Sequence, residues 1–218
     1  LWGFDEASDT LALDFSGNHN DGTIYGATRV PGKYGTALSF DGTDDSVTVP
    51  NSESLRGIQH LTIETWLMPE SFPPEGLSNS TGIVAYGTKD QAMWELRVTG
   101  NGGLFFLLDW NTSSEMWLST DPVLHLNEWQ HVGATFDGAM ARIYVNGILK
   151  AEAEAPPLIY PGEESFLAIG DDFPGMDEYF HGLIDDLRIY NRALSPSEFH
   201  YSLPVSFLDE RSCLGGIS

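Results

Sequence analysis

The stretch from Glu128 to Ala153 constrains the fold most tightly. Val132–Phe136, Ala141–Val145 and Ile148–Lys150 alternate apolar and polar side chains, and Asp137-Gly138 and Asn146-Gly147 separate them. A period of two places successive side chains on opposite faces of a strand. Asn-Gly accepts the positive φ angles of a type I′ turn, so the stretch reads as three consecutive antiparallel strands. Leu61–Leu67 alternates in the same way. Ala37–Phe40, Ser46–Val49, Gly82–Tyr86, Trp94–Val98, Leu104–Leu108, Met116–Ser119, Phe166–Ile169 and Leu183–Tyr190 also read as strands, spaced by turns rich in Gly and Asp. Helix signals are confined to Ser195-Pro196-Ser197-Glu198, where Ser195 caps a short turn with Pro196 at its first position. The expectation is an all-β chain forming a two-sheet antiparallel β-sandwich. One domain spans 1–203, and 204–218 is a tail or linker. Glu70–Thr81 and Ala151–Glu164 are assigned to surface connections.

Charge narrows the partners. Ten Lys and Arg face 32 Asp and Glu, a net charge of −22. Such a surface repels nucleic acid and anionic membrane, and suits either a solvated exterior or divalent cations. Cys213 is the one cysteine, so an intrachain disulfide is excluded. No apolar run approaches the ~18 residues of a membrane-spanning helix. Leu1 opens directly in folded-looking sequence, as in a mature or excised domain of a multidomain extracellular or cell-surface protein.

Five segments in order carry a family likeness: Trp2-x-Phe4-Asp5-Glu6 with Asp14-x-Ser16-Gly17-Asn18-x-Asn20-x-Gly22; Gly35-x-Ala37-Leu38-x-Phe40-Asp41-Gly42-x-Asp44-Asp45-x-Val47; Trp129-x-His131-Val132-x-Ala134-Thr135-Phe136-Asp137-Gly138; Tyr144-Val145-Asn146-Gly147; and Phe180-x-Gly182-x-Ile184-Asp185-Asp186-x-Arg188-Ile189-Tyr190-Asn191-Arg192-Ala193-Leu194-Ser195. Together they resemble the laminin-G-like domain of the concanavalin A-like lectin/glucanase superfamily. The resemblance implies a jelly roll whose first and last strands are adjacent, and a calcium ion linking the N-terminal region to the last strand. Pairing those end strands also protects edges that would otherwise lie open.

Calcium takes about six to eight oxygen ligands. Asp14, Asn18, Asn20 and Asp21 share one Gly-punctuated turn, Asp41, Asp44 and Asp45 share another, and Asp185 and Asp186 lie on the expected last strand. The candidate ligands are Asp14, Asn20, Asp41, Asp44, Asp185 and Asp186. Equally, these residues form Asx-turns on their own backbone or pair with Arg188 or Arg192. Zinc is not expected, because the histidines show no short ligand spacing.

Sugars stack their C–H faces on aromatic rings while carboxylates and amides bond their hydroxyls. Leu104–Leu108 runs into Asp109-Trp110-Asn111, and Tyr86, Trp94 and Trp117 lie nearby in sequence. These six residues, Asp109, Trp110, Asn111, Tyr86, Trp94 and Trp117, form the candidate ligand region. The competing role for the aromatics is core filling. The partner is a carbohydrate or an extracellular protein. Catalysis is not expected: Glu64 and Glu95 lack a carboxylate two residues away, and no nucleophile triad or phosphate loop stands out. A polysaccharide hydrolase or lyase on the same sandwich, and a ligand-free spacer, are the alternatives.

Overall fold

A computed structural model describes residues 1–56, 58–74, 80–88, 91–111, 114–158, 162–172 and 178–199. Two antiparallel sheets face each other. The first contains β1 (Leu11–Ala12), β2 (Gly22–Tyr25), β5 (Ser46–Pro50), β7 (Ser80–Thr88), β8 (Gln91–Thr99), β9 (Leu104–Asn111), β10 (Ser114–Ser119) and β14 (Phe166–Ile169). Its spatial order is β1-β2-β5-β14-β7-β8-β9-β10. The second contains β3 (Thr28–Pro31), β4 (Thr36–Asp41), β6 (Leu61–Pro69), β11 (Gln130–Phe136), β12 (Met140–Val145), β13 (Ile148–Glu154) and β15 (His181–Tyr190), ordered β13-β12-β11-β6-β15-β4-β3. This is the sandwich that the alternation predicts.

The turn chemistry behaves as expected. Val145 pairs with Ile148 across Asn146-Gly147, whose φ angles are 50° and 74°. The Asn146 side-chain carbonyl also accepts the His131 N–H at 2.9 Å, tying the turn to β11. At the other hairpin, Asp137 Oδ1 accepts the N–H groups of Ala139 and Met140, and Gly138 has a φ of 89°. The segment before β1 meets β15 through Trp2, which exchanges two backbone hydrogen bonds of 2.8 and 3.0 Å with Leu187; β1 itself lies in the other sheet, so the expected adjacency of first and last strands is replaced by this isolated bridge.

The core lies between the sheets. Trp2, Phe4, Phe40, Phe106, Phe136, Tyr86 and Trp94 are all fully buried. The second sheet is also covered on its outer side, which is why β6, β11 and β15 are buried along nearly their whole length. Residues 191–199 cross this outer face. Thr62 Oγ1 donates to the Arg192 carbonyl and accepts from the Leu194 N–H. The Phe199 ring sits on Gly133, where an added Cβ would lie only 3.0–3.3 Å from it. Pro196–Glu198 forms the short 3-10 turn expected after Ser195, and Glu198 Oε2 accepts the Ser195 N–H.

Two sequence expectations need correction. Ala151–Glu154 is not connection but part of β13, paired with Met140–Ile143, because its apolar residues Ala151 and Ala153 still alternate inward. The sequence pattern assigns no strand at the short β1, β2 and β3; pairing with β2, β5 and β4 respectively supplies what so short a local pattern lacks.

Candidate functional site

The outer face of the first sheet carries a polar network across β7 to β9. On β8, Trp94 and Leu96 point into the core, so Glu95 and Arg97 point outward. Register sets Glu95 opposite Ala85 and Leu107, and Arg97 opposite Gly82 and Phe105. The small residues on β7 let the segment after β14 lie across it: a Cβ on Gly82 would stand 2.3 Å from the Asp171 carbonyl oxygen. Gly82 N–H donates to the Glu178 carbonyl at 3.0 Å, which holds the approach to β15 in the same place.

Four ionisable side chains from three parts of the chain thus meet. Arg97 Nη1 donates to Glu95 Oε2 at 2.9 Å and to Asp172 Oδ2 at 3.1 Å. Arg97 Nη2 donates to Glu178 Oε2 and to the Ser80 carbonyl. Their side chains are between 4% and 12% exposed. Burial and mutual repulsion among the carboxylates outweigh the one guanidinium. Asp172 is pushed up to about 6, first by desolvation and then by the Glu95 charge. Glu95 and Glu178 are also raised, desolvation again the largest cause. Two buried atoms in the network, Asp172 Oδ1 and Arg97 Nε, have no hydrogen-bond partner among the described residues.

Beside this network lie apolar and aromatic surfaces. Leu107 stands opposite Trp117 on β10. Trp117 is 60% exposed, and its ring lies 4.8 Å from that of Phe105, edge to face. A recess of about 230 Å³ opens next to Glu178, bounded by Phe72, Tyr179, Ser71 and His181. His181 Nδ1 and Ser71 Oγ are hydrogen-bonded at 2.9 Å there. A separate cavity of about 490 Å³ lies at the N-terminal side, bounded by Trp2, Asn18, Ser54 and Arg188.

The six expected ligand residues divide. Trp117 faces outward, as required. Asp109 follows the same parity, although it is buried. Trp110 and Asn111 close β9, but their side chains lie outside the described residues. Tyr86 and Trp94 are corrected to core residues. They sit opposite each other with inward parity, stack at 5.6 Å and have no exposed surface. The Tyr86 hydroxyl is satisfied internally by Asn51 Oδ1 at 2.9 Å.

The six candidate calcium ligands fall in three places. Asp14 accepts the Ser16 and Asn20 N–H groups and the Ser16 hydroxyl, so its oxygens are used by its own turn. Asn20 bonds Ser52 and Ser54. Asp41 and Asp44 come together with Asp45, offering carboxylate oxygens within 4.8 Å of one another. Asp45 is raised, by burial first and then by Asp41 and Asp44 repulsion. Asp41 pairs with His181 in the register that pairs Leu38 with Ile184, which sets it roughly 13 Å along the sheet from Asp185. Asp185 is fully buried. Its Oδ2 accepts the Tyr34 N–H, its Oδ1 has no partner among the described residues, and burial pushes it up to about 7. Asp186 lies 3.6 Å from Arg188, the pairing weighed from the sequence.

Arg97, Asp172 and Glu178 were not among the candidate residues. Glu95-x-Arg97 on a strand does place both side chains on one face. Their partners, however, come from about 75 and 81 positions away, a proximity that only the β14–β7 pairing creates.

The sequence signature of the concanavalin A-like lectin/glucanases superfamily matches residues 41–200. The chain belongs to that superfamily. Solved structures share its fold. Domain 4 of AbnA, a GH43 extracellular arabinanase from Geobacillus stearothermophilus solved with arabinotriose, is 24% identical with a TM-score of 0.69. The similarity covers 90% of this chain and 93% of that one. The binding domain of botulinum neurotoxin DC, solved with SialylT, is 19% identical (TM-score 0.66), over 86% of this chain and 48% of that one. The binding domain of Paraclostridial Mosquitocidal Protein 1 is 17% identical (TM-score 0.67), over 89% and 49%. The chain thus spans about half of each toxin domain. No curated protein sequence matches the chain. No helix among the described residues is long and apolar enough to cross a membrane.

Proposed function

We propose that the chain is a non-catalytic recognition module of a larger secreted or surface protein. In this reading it binds carbohydrate on the outer face of the first sheet, beside Arg97 and Trp117. The observation that carries it is the pairing of an exposed aromatic step, Trp117 on Phe105, with a fixed hydrogen-bonding network around Arg97 on the same face. Rings support the C–H face of a sugar while carboxylates and guanidinium bond its hydroxyls. The match to an arabinanase domain solved with arabinotriose over nearly its whole length supports this reading. Isothermal titration with arabino-, xylo- and gluco-oligosaccharides tests it. Saturable binding that Trp117→Ala weakens about tenfold or more is expected; binding unchanged by that substitution counts against this face.

A calcium ion belongs to the same proposal, held by Asp41, Asp44 and Asp45. All-oxygen donors suit a hard cation, and a cation there would relieve the repulsion that raises Asp45.

A second reading rests on Asp172. A carboxyl raised to about 6 beside Glu95 and Glu178 is a feature of general acids. It makes the module a polysaccharide hydrolase, and product release from those oligosaccharides at pH 5–6, abolished in Asp172→Asn, is its test.

A further inference from the structure

We propose that the cavity of about 490 Å³ beside the N-terminal segment is a second, weaker saccharide site. Only the class of ligand rests on the carbohydrate reading above; the place rests on the cavity itself. Its volume lies within the roughly 300–1,000 Å³ of small-ligand pockets. Leu55, Ile58 and Ile189 give it an apolar lining, and Asn18, Ser54 and Asn191 a polar one. The polar wall is held in place by bonds of its own. Asn20, 6% exposed, donates to Ser54 Oγ at 2.9 Å and accepts from the Ser52 hydroxyl at 2.6 Å. Asn18 donates to Ser16 Oγ at 3.0 Å, which leaves its side-chain carbonyl for a ligand. Asn191 is exposed, and its amide has no partner among the described residues. The main chain adds a donor and an acceptor. Leu187 spends both its N–H and its C=O on Trp2. Main-chain groups alternate sides along an antiparallel strand, so Ile189 turns the same pair toward the cavity it lines. β4 leaves β15 at Ile184, and neither group of Ile189 has a partner beyond β6 among the described residues.

This lining suits an uncharged ligand rich in hydroxyls. Side-chain amides, serine hydroxyls and a peptide edge both donate and accept, as sugar hydroxyls do. The wall carries no carboxylate among the described residues, although the chain has 32 Asp and Glu. Arg188, which lines the cavity, is countered by Asp186 at 3.6 Å. A peptide strand fits less well: β15 ends at Tyr190, so such a strand would find only Ile189 to pair with. Trp2 is 1% exposed, so the stacking that Trp117 offers is missing here, which makes this the weaker site. Two sites on one sandwich let the module hold two stretches of polysaccharide at once, which raises avidity.

The test is a nuclear magnetic resonance titration of the unmodified 15N-labelled chain with neutral arabino-, xylo- and gluco-oligosaccharides, reading the Trp2 and Trp117 indole N–H signals separately. Trp2 Nε1 donates to the Asn20 carbonyl at 2.9 Å, so its signal reports on the cavity wall. The expected result is two saturable curves, with the dissociation constant at Trp2 about tenfold higher or more. Asn18→Ala combined with Asn191→Ala, both at exposed positions, should weaken the Trp2 curve about fivefold or more and leave the Trp117 curve in place. Trp117→Ala should leave the Trp2 curve in place. Saturation at Trp117 with the Trp2 signal unmoved would overturn the second site and leave carbohydrate recognition intact. A Trp2 signal that follows the Trp117 curve, or is lost in Trp117→Ala, also overturns it, because the cavity would then only sense the outer face. Movement at Trp2 with a blocked tetra-alanine peptide and with no saccharide overturns the ligand class. No movement at either indole with any series overturns the carbohydrate reading, and this site with it.

Discussion

Replacing Asp172 by Asn should change how stability depends on pH, by an amount the structure sets. The Asp172 carboxyl is 4% exposed and is raised from the ordinary 3.8 to about 6 by burial and the Glu95 charge. At 1.36 kcal/mol per pH unit, that gap is about 3 kcal/mol. The sign follows from which state binds the proton. Between pH 4 and 6 the unfolded chain ionises this group while the folded chain keeps it protonated, so each rise in pH favours unfolding. The penalty is absent below pH 4 and complete above about pH 6. Asn cannot ionise, keeps nearly the same shape and retains a carbonyl for Arg97 Nη1. Urea titrations in low salt from pH 4 to 8 read the effect directly. The expected variant matches the parent within about 1 kcal/mol at pH 4 and exceeds it by about 3 kcal/mol at pH 7. Curves that stay parallel across the range would refute the claim that Asp172 is forced to hold its charge against burial.

Further outcomes follow from the same packing. Asp185→Asn should also flatten the pH dependence, but over a window reaching pH 7, because Asp185 is raised to about 7; the same urea series separates the two windows. Trp94→Ala should cost about 3–5 kcal/mol, as expected for a fully buried aromatic, whereas Trp117→Ala should change stability by no more than about 1 kcal/mol while weakening sugar binding. Gly133→Val should displace Phe199 from β11 and lower the melting temperature; Phe199→Ala, which costs about 3 kcal/mol, should make the two substitutions strongly non-additive. Calcium at about 100 times its dissociation constant should stabilise the fold by about 2.7 kcal/mol, seen as a melting shift reversed by chelator. Asp44→Asn should remove that shift.

Much of the fold was legible because two signals agreed. Alternation named β6, β8, β9, β11, β12 and β15, and Asn146-Gly147 and Asp137-Gly138 set two of their turns. Trp117 was a ligand candidate that could equally have filled the core, and its outward direction emerges only from the β9–β10 register and its exposure. The same rule, once register is known, sends Trp94 inward to stack on Tyr86; a local sequence cannot say which parity faces the partner sheet. Glu95 and Arg97 were visible as neighbours on one strand face. Asp172 and Glu178 were not, because their approach to Arg97 depends on β14 pairing between β5 and β7. The calcium candidates show the opposite limit: Asp-rich turns are conspicuous in sequence, and Asp14, Asp41 and Asp45 all accept N–H groups of their own turns, but only the structure shows Asp41, Asp44 and Asp45 converging.

Saccharide contact at the Arg97–Trp117 face is most directly read by nuclear magnetic resonance of the 15N-labelled chain, titrated with the tightest neutral oligosaccharide. The account predicts the largest shifts at the Trp117 indole N–H, the Arg97 Nε–H and the amides of β8 to β10. Shifts centred instead on Trp2, Asn18 and Arg188 around the 490 Å³ cavity, with Trp117 and Arg97 unmoved, would contradict it.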